Sequence, residues 1–200
     1  MNLGAIRTHF KALLNRSDIT DALANTFIEQ GIARVQRSLR IPAMEKRYNY
    51  SISAATPFVM LPNDFLEAIS IYYDNLQLER LPMQEMLSSK KTGESGAPQY
   101  FAREGGSFLL SPEPSSGTLT LTYYAQLPEM TTDSSENILA KIASDLIIYS
   151  ALTYAADYYL DDRASIYEQK YIQFMTELQE QANAAEVTGT LQRIRPSYNI

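Results

Sequence analysis

Hydrophobic positions recur at helical spacing through residues 3–40. They lie three and four positions apart, which places them on one side of a helix, and the series restarts after a break at Ser17. Asp18 with Asp21 approximates a capping pair at the second start, and Pro42 ends the run. The pattern predicts two helices, with these apolar positions: Leu3, Ile6, Phe10, Leu13, Leu14, Ile19, Leu23, Phe27, Ile28, Ile32, Val35 and Leu39.

The apolar residues of the middle of the chain alternate instead, as the residues of β-strands do. This part, residues 46–128, also holds seven of the nine prolines. Asp74-Asn75 and Gly105-Gly106 each separate two alternating runs, so each predicts the turn of a hairpin. Further strands are predicted over residues 47–52, 58–61 and 118–124, and a short helix over residues 83–89.

Helical spacing returns in residues 133–187. Asp133 and Glu136 have capping-box spacing, and a broad apolar face follows over residues 138–159. Asp162 is a natural cap for a second helix, whose apolar residues form one stripe similar to that of a coiled coil: Tyr167, Tyr171, Phe174, Leu178 and Ala182. Residues 188–200 show no periodicity, and we expect them to be extended.

The order of helices, then strands, then helices predicts an α+β fold. Neither terminal pair of helices covers its own apolar stripe, so docking one pair on the other buries both. We therefore expect a helical bundle built from N- and C-terminal helices with an inserted antiparallel β region. The predicted parts are residues 1–45 and 131–187 for the bundle, 46–130 for the β-rich insertion, and 188–200 for an extended tail.

Composition restricts the classes of function. The chain has no cysteine, which excludes disulfide frameworks, thiol nucleophiles and thiolate zinc sites. The net charge of −6 makes it unfavourable for the protein to wrap free DNA or to bind an anionic membrane, because both carry negative charge and repel it. We expect no signal peptide and no membrane span, because no apolar run approaches the roughly 20 residues that a span requires. Tyrosine supplies 14 of the 21 aromatic residues, a composition that suits interfaces.

Residues for catalysis are scarce. The one histidine, His9, lies on a predicted helix flank, where a structural role is the usual one. Gly105-Gly106 lacks the lysine and hydroxyl that follow in a phosphate-binding loop. Three aspartates, Asp157, Asp161 and Asp162, form an oxygen-ligand alternative for a hard cation or a glycan-degrading site. A helix–helix junction with a cap is the favoured explanation, because no EF-hand glycine or twelfth-position glutamate follows them. We predict no enzyme, no metal and no cofactor.

Two basic segments are candidate interfaces. Arg34, Arg37 and Arg40 recur every three residues along the second helix and would meet an acidic partner or phosphates, unless they form a solvated face. A nucleic-acid-binding regulator is the corresponding alternative function. The tail alternates apolar and basic residues, which suits docking into a groove or onto a sheet edge; its candidate docking residues are Arg193, Ile194, Pro196, Tyr198 and Ile200.

Several segments together resemble the tailed-phage head-to-tail adaptor proteins, a group that includes the tail tubular protein A of short-tailed phages. They lie in order between residues 18 and 185: Leu61-Pro62-Asn63-Asp64-Phe65, Gly96-Ala97-Pro98-Gln99-Tyr100-Phe101, Leu110-Ser111-Pro112-Glu113-Pro114, Leu119-Thr120-Leu121-Thr122-Tyr123-Tyr124-Ala125, Ala155-Ala156-Asp157-Tyr158-Tyr159-Leu160-Asp161-Asp162 and Tyr167-Glu168-Gln169-Lys170-Tyr171. Each motif is short, and it is their order and spacing that carry the resemblance.

The resemblance implies a structural virion protein, assembled in the host cytoplasm, with no catalytic residues. It implies a ring, of about twelve copies, between the portal protein and the tail nozzle protein. Such a ring extends the channel through which genomic DNA passes without sequence-specific binding. Another neck or tail-completion protein is the closest alternative, because it differs only in its neighbours.

Overall fold

Helices and strands occupy separate parts of the chain. The structure is a computed structural model, and it describes residues 1–53, 58–88 and 95–187. Its contacts divide the chain into a helical unit, Met1–Ala43 with Leu127–Ile200, and a β unit, Met44–Gln126. The fold is a mixture of helix and antiparallel sheet, so the predicted α+β class is confirmed.

The helices of the helical unit are α1 (Leu3–Leu14), α2 (Asp21–Ser38), α4 (Ile138–Ile142), α5 (Ser144–Tyr159) and α6 (Ala164–Val187). Helix α5 is the centre of this unit, because α1, α2, α4 and α6 all contact it. Buried positions recur every three or four residues in α1 and α2, as the sequence predicts; Phe10 and Ile28 are fully buried examples. Helix α5 is buried at consecutive positions as well, such as Leu146 and Ile147, because the other helices pack around it.

The start of α2 differs from the predicted capping pair. Thr20 is the N-cap, and its hydroxyl accepts a hydrogen bond of 3.2 Å from the Leu23 backbone N–H. Asp21 is already the first helical residue, where its side chain cannot cap, and Asp18 accepts hydrogen bonds from Arg16 instead. The N-cap of a helix is the residue with extended backbone just before it, here Thr20. The spacing of Asp18 and Asp21 in the sequence did not identify that residue.

The predicted capping box at Asp133 and Glu136 is also wrong. Asn137 precedes α4 and caps it, because its side-chain oxygen accepts a 2.8 Å hydrogen bond from the Ala140 N–H. The predicted apolar helix over residues 138–159 is divided into α4 and α5, because Ala143 leaves the helical conformation. At the next junction the carboxylate that accepts a backbone N–H belongs to Asp161, not to the predicted Asp162.

The elements of the β unit are β1 (Glu45–Ile52), β2 (Phe58–Met60), β3 (Phe65–Tyr73), β4 (Leu76–Gln77), β5 (Glu79–Arg80), α3 (Met83–Ser88), β6 (Tyr100–Glu104), β7 (Ser107–Ser111) and β8 (Gly117–Ala125). Among the described residues of this unit, the strands form two four-stranded sheets, with strand orders β1-β8-β3-β4 and β2-β7-β6-β5. The short helix α3 follows β5 in the chain.

Both predicted hairpins are confirmed. Asp74 and Asn75 join β3 to β4 with positive φ angles of 43° and 75°, the left-handed backbone that a two-residue turn of this type requires. Gly105 has a φ of 56° in the turn between β6 and β7. The pair β5–β6 departs from the predicted antiparallel order and is parallel, because α3 lies in the connection between these strands in place of a tight turn.

The two sheets of the β unit share one hydrophobic core. Strand β8 alternates strictly, so Leu119, Leu121 and Tyr123 are buried while the threonines between them lie on the other face. Phe101 and Phe108 of the second sheet belong to the same buried cluster. Helix α3 packs on the opposite face of the second sheet, where Met86 is fully buried against Ala102 and Leu109.

Candidate interaction surfaces

The aspartates considered as a metal site are not gathered into one. In the described part of the chain, no three histidine, aspartate or glutamate side chains lie close enough together to hold a metal ion, and this applies to Asp157, Asp161 and Asp162 as well. Within the same residues, no helix combines the length and the apolar character that crossing a bilayer demands.

Arg34 is engaged inside the helical unit. Its guanidinium donates to both carboxylate oxygens of Glu168 on α6, at 2.6 and 2.9 Å, and to the hydroxyl of Thr153 on α5 at 3.0 Å. It also lies 4.0 Å from the ring centroid of Tyr171. These hydrogen bonds hold the pKa of Glu168 below its usual range. Arg34 therefore connects α2 to α5 and α6.

The other two arginines of the predicted basic interface differ in exposure. Arg37 is exposed, and its guanidinium donates to the hydroxyl of Tyr154 at 3.3 Å. Arg40 is half-buried at the end of α2, where its backbone N–H and carbonyl both bond to the side chain of Gln179. A basic interface at these positions stays a prediction, and Arg37 is its exposed member.

The predicted docking tail lies outside the described residues. This applies to Arg193, Ile194, Pro196, Tyr198 and Ile200 alike, because the description ends at residue 187. Their role stays a prediction.

Sequence reasoning missed an apolar surface on the β unit, here called the β-edge surface and defined by Tyr48, Tyr50, Phe58 and Met60. Strands β1 and β2 are the edge strands of the two sheets. Met60 is 71% exposed and Tyr48 is 47% exposed, while the Tyr48 and Tyr50 rings lie 4.7 Å apart. The hydroxyl of Tyr50 donates to the Met60 carbonyl at 2.7 Å and so connects the two edges. Single large apolar side chains are common on surfaces, but a cluster of them indicates a contact site.

A groove of about 590 Å³ continues the β-edge surface along β1 and residues 60–64. In the described residues β1 pairs with one strand only, β8, over its whole length, so its second edge is open. An open edge of this length offers backbone groups to an added strand, and the groove offers room for its side chains. The β-edge surface therefore suits an extended segment of another protein.

Asp64, in the first of the motifs that carry the resemblance, holds this end of the β unit together. Its carboxylate accepts hydrogen bonds from Lys46 on β1 at 2.6 Å and from the Tyr123 hydroxyl on β8 at 2.9 Å. Burial opposes ionisation of Asp64, but the hydrogen bonds from Lys46 and Tyr123 outweigh it and lower its pKa. Burial and the bond to Asp64 raise the pKa of Tyr123 to about 12. The motif has a structural role beside the groove.

A second exposed apolar cluster lies at the turn between α5 and α6. Leu160 is 89% exposed and Tyr158 is 62% exposed. Leu160 also has a φ of 52°, a left-handed conformation that costs a non-glycine residue roughly 1–2 kcal/mol. Arg163 ties this turn to α1, because its guanidinium donates to the Leu13 and Leu14 carbonyls at 3.3 and 2.9 Å. The exposed turn is therefore held in a fixed position against α1.

The same turn gives a prediction for pH dependence. Hydrogen bonds from the side chain and backbone of Arg163 lower the pKa of Asp161 to about 2. Because the folded pKa lies below the unfolded value of about 3.9, Asp161 stabilises the fold at neutral pH, and this contribution is lost as the pH falls from about 4 to about 2. Asp161→Asn should therefore lower the free energy of unfolding at pH 7 by about 1 kcal/mol.

Urea denaturation at pH 7 and pH 2.5 measures the difference in the free energy of unfolding between the unchanged protein and Asp161→Asn. This difference should be smaller at pH 2.5. Asp162→Asn is the matched control, because Asp162 is exposed and lies one position away; we expect it to change stability by less than about 0.5 kcal/mol. Equal effects of the two substitutions, or an Asp161 effect that does not change with pH, would contradict the prediction.

A family model described as "SU10 adaptor protein" matches residues 1–194, nearly the whole chain. The search of curated proteins found no match. SU10 adaptor proteins are a phage adaptor family, which agrees with the resemblance of the sequence to phage adaptors in general. The chain therefore belongs to the SU10 adaptor protein family and is a structural phage adaptor, a component of the virion that associates with other capsid or tail proteins.

Proposed function

We propose that this adaptor forms a ring, of about twelve copies, between the portal protein and the tail nozzle and extends the channel for DNA. In this arrangement the adaptor occupies the place of tail tubular protein A in short-tailed phages. The helices of both chain ends form one bundle. The observation that carries the proposal is the family membership over residues 1–194. Two exposed apolar clusters, one on each unit, support it, because a subunit that contacts neighbours of different kinds needs more than one contact surface.

The charge of the chain supports a role in DNA passage. Each copy carries −6, so a ring of about twelve copies carries on the order of −72. A duplex that approaches such a ring is repelled by it, which favours sliding over binding. We infer no sequence-specific contact with the DNA.

We assign two different parts of the adaptor to different partners. The tail residues Arg193, Ile194, Pro196, Tyr198 and Ile200 dock on the portal, and Arg37 extends this basic interface on the helical unit. The β-edge surface meets the tail nozzle. The adaptor is assembled onto the head in the host cytoplasm, and it has no catalytic role.

Removal of residues 189–200 tests the portal assignment. We expect a folded protein with an unchanged melting temperature, because these residues follow the last helix, and at least about a hundredfold weaker binding to purified portal. Mass photometry of the adaptor with and without portal measures both binding and copy number. Unchanged portal binding after the deletion would defeat the assignment of the tail, and the absence of any ring on the portal would defeat the proposed function itself.

A further inference from the structure

A groove in the helical unit is separate from the surfaces discussed so far. It lies between the start of α1, one flank of α2 and residues 127–131, and it has a volume of about 270 Å³. This is just below the roughly 300–1,000 Å³ of typical small-molecule sites, so it admits one or two large side chains of a protein partner. Its floor is apolar and consists of Leu3, Ile28, Ile32, Leu127 and Met130, each no more than 9% exposed.

Two carboxylates lie at the rim of this groove, Glu29 on α2 and Glu129 on the other wall. Both are exposed, and neither has a hydrogen-bond or ion-pair partner among the residues that the structure describes. An apolar floor between two unpaired carboxylates is complementary to an apolar side chain that has a cation beside it.

Helix α6 presents such a pair of side chains. Ile166 is 51% exposed, and Lys170 follows it four residues later, one turn along the same face of the helix. The Lys170 ammonium donates to the Tyr149 hydroxyl at 3.0 Å and lies 4.9 Å from the centroid of that ring. Unlike Arg34 and Arg163, Lys170 has no carboxylate partner in the described part of the chain. Its charge is therefore not neutralised within the subunit.

The groove and the pair of Ile166 and Lys170 lie on opposite sides of the helices α2 and α6. The bond between Arg34 and Glu168 shows which side of each helix faces the other. Two residues along a helix correspond to a rotation of roughly 200°, so side chains two positions apart point to nearly opposite sides. Ile32 in the groove floor is two positions from Arg34. Ile166 and Lys170 are each two positions from Glu168, and so they point away from α2.

We propose that the groove of one adaptor binds Ile166 of the next copy, with Lys170 of that copy paired with Glu29 and Glu129 at the rim. Both halves of the contact belong to this chain, which favours a second copy over a portal or tail protein. Because the halves lie on opposite sides, each bound copy still offers one groove and one Ile166, and the contact repeats until a ring closes. Binding of groove to groove is disfavoured, because it brings carboxylates of both copies together.

This inference rests on the ring of the proposed function and identifies the contact between its subunits. Crosslinking in assembled phage particles tests it, because the chain has no cysteine and introduced thiols are the only ones in the adaptor. The variant carries Ala33→Cys in the groove lining and Ile166→Cys, both at exposed positions. A short bismaleimide then joins thiols of neighbouring copies without the strict geometry of a disulfide.

We expect a ladder of dimers, trimers and larger adaptor multimers on a denaturing gel, with peptides that join residue 33 to residue 166 identified by mass spectrometry. Each single-cysteine variant should remain monomeric. The matched control pairs Ala33→Cys with Ile172→Cys, since Ile172 is 53% exposed but lies on another face of α6. The absence of the ladder, an equal ladder with the control pair, or dimers from a single-cysteine variant would each overturn the proposed contact.

Reversal of the charges provides the second arm. Lys170→Glu should lower plaque counts at least about tenfold, because a third carboxylate at the rim weakens every contact in the ring. Addition of Glu29→Lys and Glu129→Lys to Lys170→Glu restores opposite charges and should bring the counts back to within about threefold of the unchanged phage. Glu85→Lys and Glu104→Lys restore the same net charge at exposed positions of the β unit and should not rescue. Equal rescue by both pairs, or rescue by neither, would overturn the pairing at the rim.

Glutaraldehyde treatment of unchanged particles separates failure of this contact from failure of the proposed function. Glutaraldehyde joins neighbouring copies through lysines at any position. Adaptor multimers with glutaraldehyde, but no crosslink between residues 33 and 166, would overturn the contact and leave the ring in place. The absence of adaptor multimers with glutaraldehyde would remove the ring, and this contact with it.

Discussion

Gly31→Val should destabilise the helical unit by about 3 kcal/mol or more. Gly31 lies in the middle of α2, where a Cβ atom would be 2.8 Å from the backbone nitrogen of Ala151 and 3.2 Å from the Ile147 carbonyl oxygen. These are backbone atoms of α5, which cannot rotate away as a side chain does. The buried hydroxyl of Ser150 also donates to the Gly31 carbonyl at 3.0 Å, so separation of the helices breaks this bond as well.

The sign of the Gly31 effect is its most specific feature. Alanine at a mid-helix glycine ordinarily stabilises a helix by roughly 0.5–1 kcal/mol, because glycine loses more backbone entropy on folding. At Gly31 alanine should destabilise instead, by about 1–3 kcal/mol. Thermal and urea denaturation measure both variants, and Gly106→Ala is the control, because its Cβ would meet nothing within 4 Å. A neutral or stabilising Gly31→Ala would show that α2 and α5 do not approach so closely.

The double variant Tyr48→Glu and Met60→Glu should abolish attachment of the tail while the adaptor still folds. Both side chains belong to the β-edge surface and are 47% and 71% exposed, so their replacement removes little of the buried core. Burying two carboxylates in an apolar interface is costly, and loss of a central contact commonly weakens binding by 2 kcal/mol or more, about thirtyfold. In the proposed ring every copy carries the change, so the loss of binding multiplies around it.

Electron microscopy and plaque counts measure this result. We expect DNA-filled heads without tails and a fall in infectivity of at least about a hundredfold. The matched control is the double variant Leu76→Glu and Leu87→Glu, which changes two comparably exposed apolar residues, at 65% and 59%, elsewhere on the β unit. Normal tails on the first variant would remove the β-edge surface from the proposed function, and tailless heads with both variants would show that charge alone, at any position, disrupts assembly.

The candidate surfaces were the part of this protein that the sequence predicted least well. Tyr48 and Tyr50 lie in an alternating run, and alternation alone does not tell a buried face from an exposed one at the edge of a sheet. Arg34 illustrates the opposite case: in the sequence it belongs to a basic series, and in the structure it pairs with Glu168, 134 positions away. The exposure of the two tyrosines and the pairing of Arg34 both depend on residues that are distant in the chain. The local spacing of residues therefore could not predict either of them.

Local periodicity determined the α+β class and the approximate extent of most helices and strands, because burial of one face repeats every 3.6 or two residues whatever the partner is. The residues Asp74-Asn75 and Gly105-Gly106, which tolerate positive φ, determined the two hairpin turns. The caps at Thr20 and Asn137, the parallel pair β5–β6 and the close approach at Gly31 were decided only by the tertiary structure. Each depends on the position of single atoms relative to residues that are distant in the chain or on one residue's backbone angles. A hydrophobic pattern constrains neither of these.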